Sequence, residues 1–80
     1  MLHIITIYEK PTDFPDSFVA RRFTVGKNGA VFATSDYQIS PTIEPLREWA
    51  KKQIAKRAGW DGYNVGRNIN DDPHVVECWL

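Results

Sequence analysis

The sequence predicts an α+β fold, a single helix packed on a small, mostly antiparallel sheet, in the chain order β-β-β-α-(β)-β. Three observations predict it. Runs rich in β-branched and aromatic residues, Leu2 to Tyr8 and His74 to Leu80, stand at the two ends of the sequence. Asn28-Gly29 separates two further runs of that kind, and both residues accept the positive φ of a tight hairpin. One stretch, Ile43 to Ile54, carries apolar residues at helical spacing.

The elements follow in order. Leu2 to Tyr8 has apolar groups on both faces, which predicts a strand in the middle of the sheet. Pro11 and Pro15 remove amide donors and make Glu9 to Asp16 a loop. Phe18 to Val25 is the second strand, with Val19, Arg21, Phe23 and Val25 on one face and Ala20, Arg22 and Thr24 on the other. Ala30 to Thr34 returns as the third and extends, after a break at Ser35-Asp36, through Tyr37 to Ile39. Thr42 is the expected N-cap of the helix, with Glu44 and Pro45 in its first turn. Ile43, Leu46, Ala50 and Ile54 face the sheet, Trp49 flanks them, and Gly59 ends the helix behind Lys56 and Arg57. Tyr63 to Val65 reads as a short strand and Asp71 to Pro73 as a turn. In the last strand Val76, Cys78 and Leu80 are expected inside, leaving Val75, Glu77 and Trp79 on the exposed face.

Eighty residues make one domain, residues 1–80, and such a chain is near the lower limit for a self-sufficient core. Three Trp, three Tyr and four Phe supply large side chains to offset that. A homodimer is a second route to the same end. Ten basic and ten acidic residues cancel, so no global field marks a nucleic-acid or membrane-surface protein. No apolar run approaches the ~20 residues of a membrane span, and the start lacks the basic region of a signal peptide. With one cysteine, Cys78, an internal disulfide is excluded and a cytoplasmic setting is expected.

Few patterns carry chemistry. His74 and Cys78 share a strand face but stand roughly 13 Å apart at strand rise, too far to ligate one zinc. No calcium-loop pattern organises Glu9, Asp13, Asp16 and Asp71-Asp72. The glycines from Gly59 to Gly66 follow a helix rather than precede one, so they describe turns and not a phosphate loop. No catalytic residue, metal or cofactor is expected, and the protein is not expected to be an enzyme.

Two binding readings remain. A sheet with one helix leaves one face uncovered, and an apolar stripe there suits a protein partner. Asp13, Asp16, Arg21, Arg22 and Trp79 are the expected contact residues, the carboxylates pairing with basic groups and Trp79 supplying apolar area. The alternative is a nucleic-acid-binding module that uses the basic helix residues Arg47, Lys51, Lys52, Lys56 and Arg57.

Ile7-Tyr8, Pro11-Thr12-Asp13-Phe14-Pro15-Asp16, Phe18-Val19-Ala20-Arg21 and the closing Asp71-Asp72-Pro73, Val76-Glu77 and Trp79 give the chain a likeness over about half its length. In these segments it resembles a group of short bacterial and prophage proteins with no assigned activity. The resemblance implies a phage or prophage accessory protein that works by binding an unidentified protein. It adds no catalytic residue.

Overall fold

A computed structural model describes residues 2–59, 62, 64–66 and 73–80. Among these residues five strands and one helix follow in order: β1 (Leu2–Glu9), β2 (Phe18–Val25), β3 (Val31–Ser40), α1 (Glu44–Ala58), β4 (Asn64–Gly66) and β5 (Val75–Trp79). The strands form one sheet in the order β3-β2-β1-β5-β4. Every pairing is antiparallel, and α1 packs across one face. The α+β class is as expected. So is the central place of β1, whose residues pack on both sides.

The β2–β3 hairpin closes through Gly29, at φ 81°, with the Gly29 amide donating to the Gly26 carbonyl. β3 does not break at Ser35-Asp36. It bulges: Arg21 pairs with Tyr37 and Phe23 with Ala33, so Thr34 to Asp36 stand opposite Arg22 alone. The Thr34 hydroxyl fixes the bulge by donating to the Arg22 carbonyl at 2.9 Å and accepting from the Asp36 amide at 3.2 Å.

The helix starts one residue later than Thr42 would place it. Ile43 is the N-cap and makes no side-chain cap bond; its carbonyl takes the amides of Leu46 and Arg47. Pro45 in the first turn has no amide to satisfy, which makes the absent cap cheap. The Thr42 amide instead donates to the Ser40 hydroxyl at 3.2 Å, in the turn that leaves β3. Gly59, at φ 82°, closes the helix by donating its amide to the Ala55 carbonyl.

Ile5, Ile7, Ala20, Leu46, Ala50, Ile54 and Trp79 form the core, with Phe18, Ile43 and Trp49 partly buried against it. Trp79 in that group reverses the orientation expected for β5. Trp79 pairs with Ile5 and Glu77 with Ile7, so both face the helix, while Cys78 pairs with Thr6 on the other side. A register shift between Ile7 and Tyr8 then sets Val75 beside Tyr8. The reversal rests on Glu77, whose buried carboxylate has its own partners in the helix-side layer. The short strand after the helix is present as Asn64–Gly66. Tyr63 and the expected Asp71-Asp72 turn lie outside the described residues.

Candidate functional site

The helix covers one side of the sheet, and among the described residues no second helix covers the other, which is called the open side. From the register, this side carries Ile4, Thr6 and Tyr8 of β1, then Val19, Arg21, Phe23 and Val25 of β2, with Val31, Ala33, Tyr37 and Ile39 of β3 beyond them; Val19, between Tyr8 and Ile39, is fully buried. Its centre is an apolar depression of about 330 Å³ lined by Ile4, Thr6, Tyr8, Phe23, Val31, Val75 and Cys78. Inside it the Thr6 hydroxyl and the Cys78 thiol lie 3.8 Å apart. Along β3 the same face carries a ridge of exposed apolar side chains, Tyr37 49% and Ile39 37% exposed, with Val31, 61% exposed, on the lip of the depression.

One end of this face is closed by the β1–β2 loop. Lys10, at φ 46°, turns the chain out of β1, and its amide donates to the Ser17 carbonyl at 2.9 Å. Asp13 then reaches Arg21, which donates to it at 2.6 Å. Arg21 also lies over the Tyr37 ring, 5.6 Å from its centroid. Pro11, Thr12 and Asp13 with Tyr8, Arg21 and His74 line a cleft of about 280 Å³ there. The Asp13–Arg21 pair makes this rim polar but locally neutral.

The expected contact residues therefore separate. Asp13 and Arg21 meet at the rim of the open face, and Asp16 is exposed on the same loop. Arg22 is not a surface contact. It is 8% exposed on the helix side, donating to Asp36 at 2.8 Å through Nε and to His3 Nδ1 at 3.1 Å. Its alternation was legible, but its partner Asp36 reaches it only through the β3 bulge. Trp79 is also withdrawn from the surface, 6% exposed in the core, with its indole N–H on Glu77.

Two charged clusters serve the interior. Arg22 and Arg57 both donate to Asp36, and the Arg22 bond first among causes holds that carboxyl below its ordinary range. Burial, then the charges of Arg22 and Arg57, hold the His3 imidazole below its usual range. At the other flank Glu77 accepts from Arg47 at 2.9 Å, from Asn64 at 2.9 Å and from Trp79 at 2.7 Å. The Glu77 carboxylate raises Arg47 above its ordinary value by hydrogen bonding and then by charge.

These clusters divide the five basic residues of α1. Arg47 and Lys51 lean toward β5, Lys51 lying over the Trp79 ring at 5.7 Å, while Arg57 leans toward Asp36 on β3. Lys52 and Lys56 are exposed, Lys52 bordering a groove of about 410 Å³ that Gln38, Ile39 and Ser40 of β3 also line. The structure does not bring the five into one strip. Among the described residues there is no group of three His, Cys, Asp or Glu side chains placed to hold a metal ion. Within the same residues no helix is long and apolar enough to cross a membrane.

Sequence reasoning placed the strands of the open face but missed its depression. The signal was there in Ile4, Phe23 and Val31, which alternate with residues facing the helix. No family model, curated protein or solved structure matches the chain.

Proposed function

We propose that this is a protein-binding module rather than an enzyme, and that its binding surface is the open face of the sheet. One observation carries the reading: the face joins an apolar depression to a strip of exposed apolar side chains, on the side of the sheet opposite α1. Exposed apolar surface of this kind costs solubility and persists where a partner uses it. The Asp13–Arg21 rim gives the face an edge of fixed polarity, which sets orientation more than affinity. The likeness of residues 7–21 and 71–79 to short prophage proteins supports a phage or prophage accessory role, acting in the cytoplasm.

A photo-crosslinking amino acid at Val31 tests the reading. Irradiation is expected to yield a discrete protein adduct from that position and none from the same amino acid at Ala55, an exposed helix residue. Adducts absent at Val31, or equal at both positions, would remove the open face as the binding surface.

A further inference from the structure

We infer that the occupant of the open face is a second copy of this chain, related by a twofold axis, so that two sheets pack face to face between two outer helices. This rests on the reading of the open face as a binding surface and names its partner.

The shape of the face argues for self-association. A twofold contact needs one patch that is complementary to itself. Here ridge and valley belong to one patch and lie side by side. The ridge is Tyr37 and Ile39 on the outer strand, the valley is Ile4, Thr6, Phe23 and Cys78 on the inner ones, and Val31 stands on the lip between them. Turning one copy over sets each ridge into the other's valley. The side chains of two sheets then interdigitate at about 10 Å separation, as in a β-sandwich.

Charge permits it. The chain carries no net charge. The open face presents Arg21 and Asp13 already joined to each other. Asp36, the acidic residue of the ridge strand, is held on the helix side by Arg22 and Arg57. Among the described strand residues, two copies therefore meet without like charges facing one another, a juxtaposition that would cost several kcal/mol.

Area is sufficient. With Leu2 43% exposed at the end of the same face, the ridge, valley and Leu2 offer on the order of 500 Å² of apolar surface per copy, the size at which a patch is functional. Against the ~800 Å² per partner of a standard interface, this supplies its apolar centre. A domain of eighty residues also gains stability from a shared core.

Sedimentation equilibrium on the full chain tests this with two substitutions on one strand. Val31→Lys places a charge on the lip of the valley, while Phe32→Lys replaces an equally exposed apolar residue on the opposite face of β3. The wild type is expected to sediment as a dimer of the 9.2 kDa chain at tens of micromolar. Phe32→Lys should leave the dissociation constant within about twofold, and Val31→Lys should raise it by tenfold or more. If Val31→Lys loses its circular-dichroism signature, Ile39→Lys replaces it with the same expectation. A wild type monomeric at several hundred micromolar, a dimer indifferent to both Val31→Lys and Ile39→Lys, or equal weakening by Phe32→Lys overturns the proposal. A monomeric wild type that still gives Val31 adducts with a different protein removes the second copy alone. A monomer without adducts removes the open-face reading as well.

Discussion

The indole N–H of Trp79 donates to the carboxylate of Glu77 at 2.7 Å, two residues earlier on the same strand and on the same, helix-facing side. That short bond makes a buried acid compatible with the core. Glu77 is 4% exposed, and its oxygens also take the Arg47 guanidinium through two nitrogens and the Asn64 amide. An ionised carboxylate without such donors would not stay buried.

Glu77→Ala is therefore expected to destabilise the fold by about 2–4 kcal/mol, since it strands a buried indole donor and frees Arg47. Arg47 is 43% exposed and rehydrates, which keeps the loss at the lower end of that range. Glu77→Gln, which keeps shape and one acceptor, should cost less. Urea unfolding followed by circular dichroism checks the order of the two; equal stability of both variants and the wild type would show the network to be idle.

β5 also marks where the sequence stopped being legible. In Val75 to Leu80 the two alternating sets are nearly equal in apolarity, and Glu77 tips the comparison toward exposure for its own set. Only Arg47 on the helix and Asn64 on β4, distant in sequence, reverse it. Arg22 was hidden for a similar reason, because its partner Asp36 comes from across a bulge. The strand runs, the Asn28-Gly29 turn and the Gly59 stop were readable because each depends on neighbours in the chain. The open face was half readable. Its apolar alternation is local, but the pairing of Asp13 with Arg21 needs the loop to fold back.

Acidification should weaken the fold through His3. Arg22 can only donate, so its 3.1 Å contact requires an unprotonated Nδ1 on His3. The folded-state pKa lies below the ordinary 6.5, so the unfolded chain binds the proton more readily. Stability is then complete above about 6.5 and falls as pH drops below it. Asp36, also held below its ordinary value of 3.8, adds a second loss under that pH. Chemical unfolding at pH 7.5, 6.5 and 5.5 should show the His3 decline, and His3→Asn should flatten it. A wild-type profile level across those three values would refute the assignment.

Gly62 is expected to resist substitution. A Cβ added there would stand 3.1 Å from the Lys51 Cα, 3.4 Å from Trp79 Cε3 and 3.5 Å from Ile54 Cβ. The helix backbone must give way, so Gly62→Ala should cost about 1–3 kcal/mol. A shift in tryptophan emission should accompany it, because the new methyl group comes into contact with the Trp79 ring at 3.4 Å. An unchanged urea midpoint would show that the segment accommodates the methyl group.

Lys10 offers a change in the other direction. At φ 46° it occupies the left-handed region, which costs an ordinary side chain about 1 kcal/mol and asparagine less. Lys10→Asn should raise stability by roughly 0.5–1 kcal/mol, a few degrees in melting temperature for a domain of this size. Lys10→Val should lower it. Calorimetry on the pair decides, and a Val variant as stable as the Asn variant would mean that the loop turns elsewhere.

The placing of β1 between β2 and β5 has a consequence for synthesis on the ribosome. β1, β2 and β3 are a local meander that can pair as soon as Ser40 has emerged, yet Ile5 and Ile7 are then backed by nothing. Their cover arrives with Leu46 to Ile54, and the far edge of β1 stays unpaired until Cys78 and Trp79 appear. Closing that pair joins the two ends of the sequence, the slowest kind of contact to form. During that interval β1 presents a free backbone edge to any extended chain nearby. The strand Val75–Trp79 thus acts as the latch of the sheet, and removing it would return the edge-exposed state.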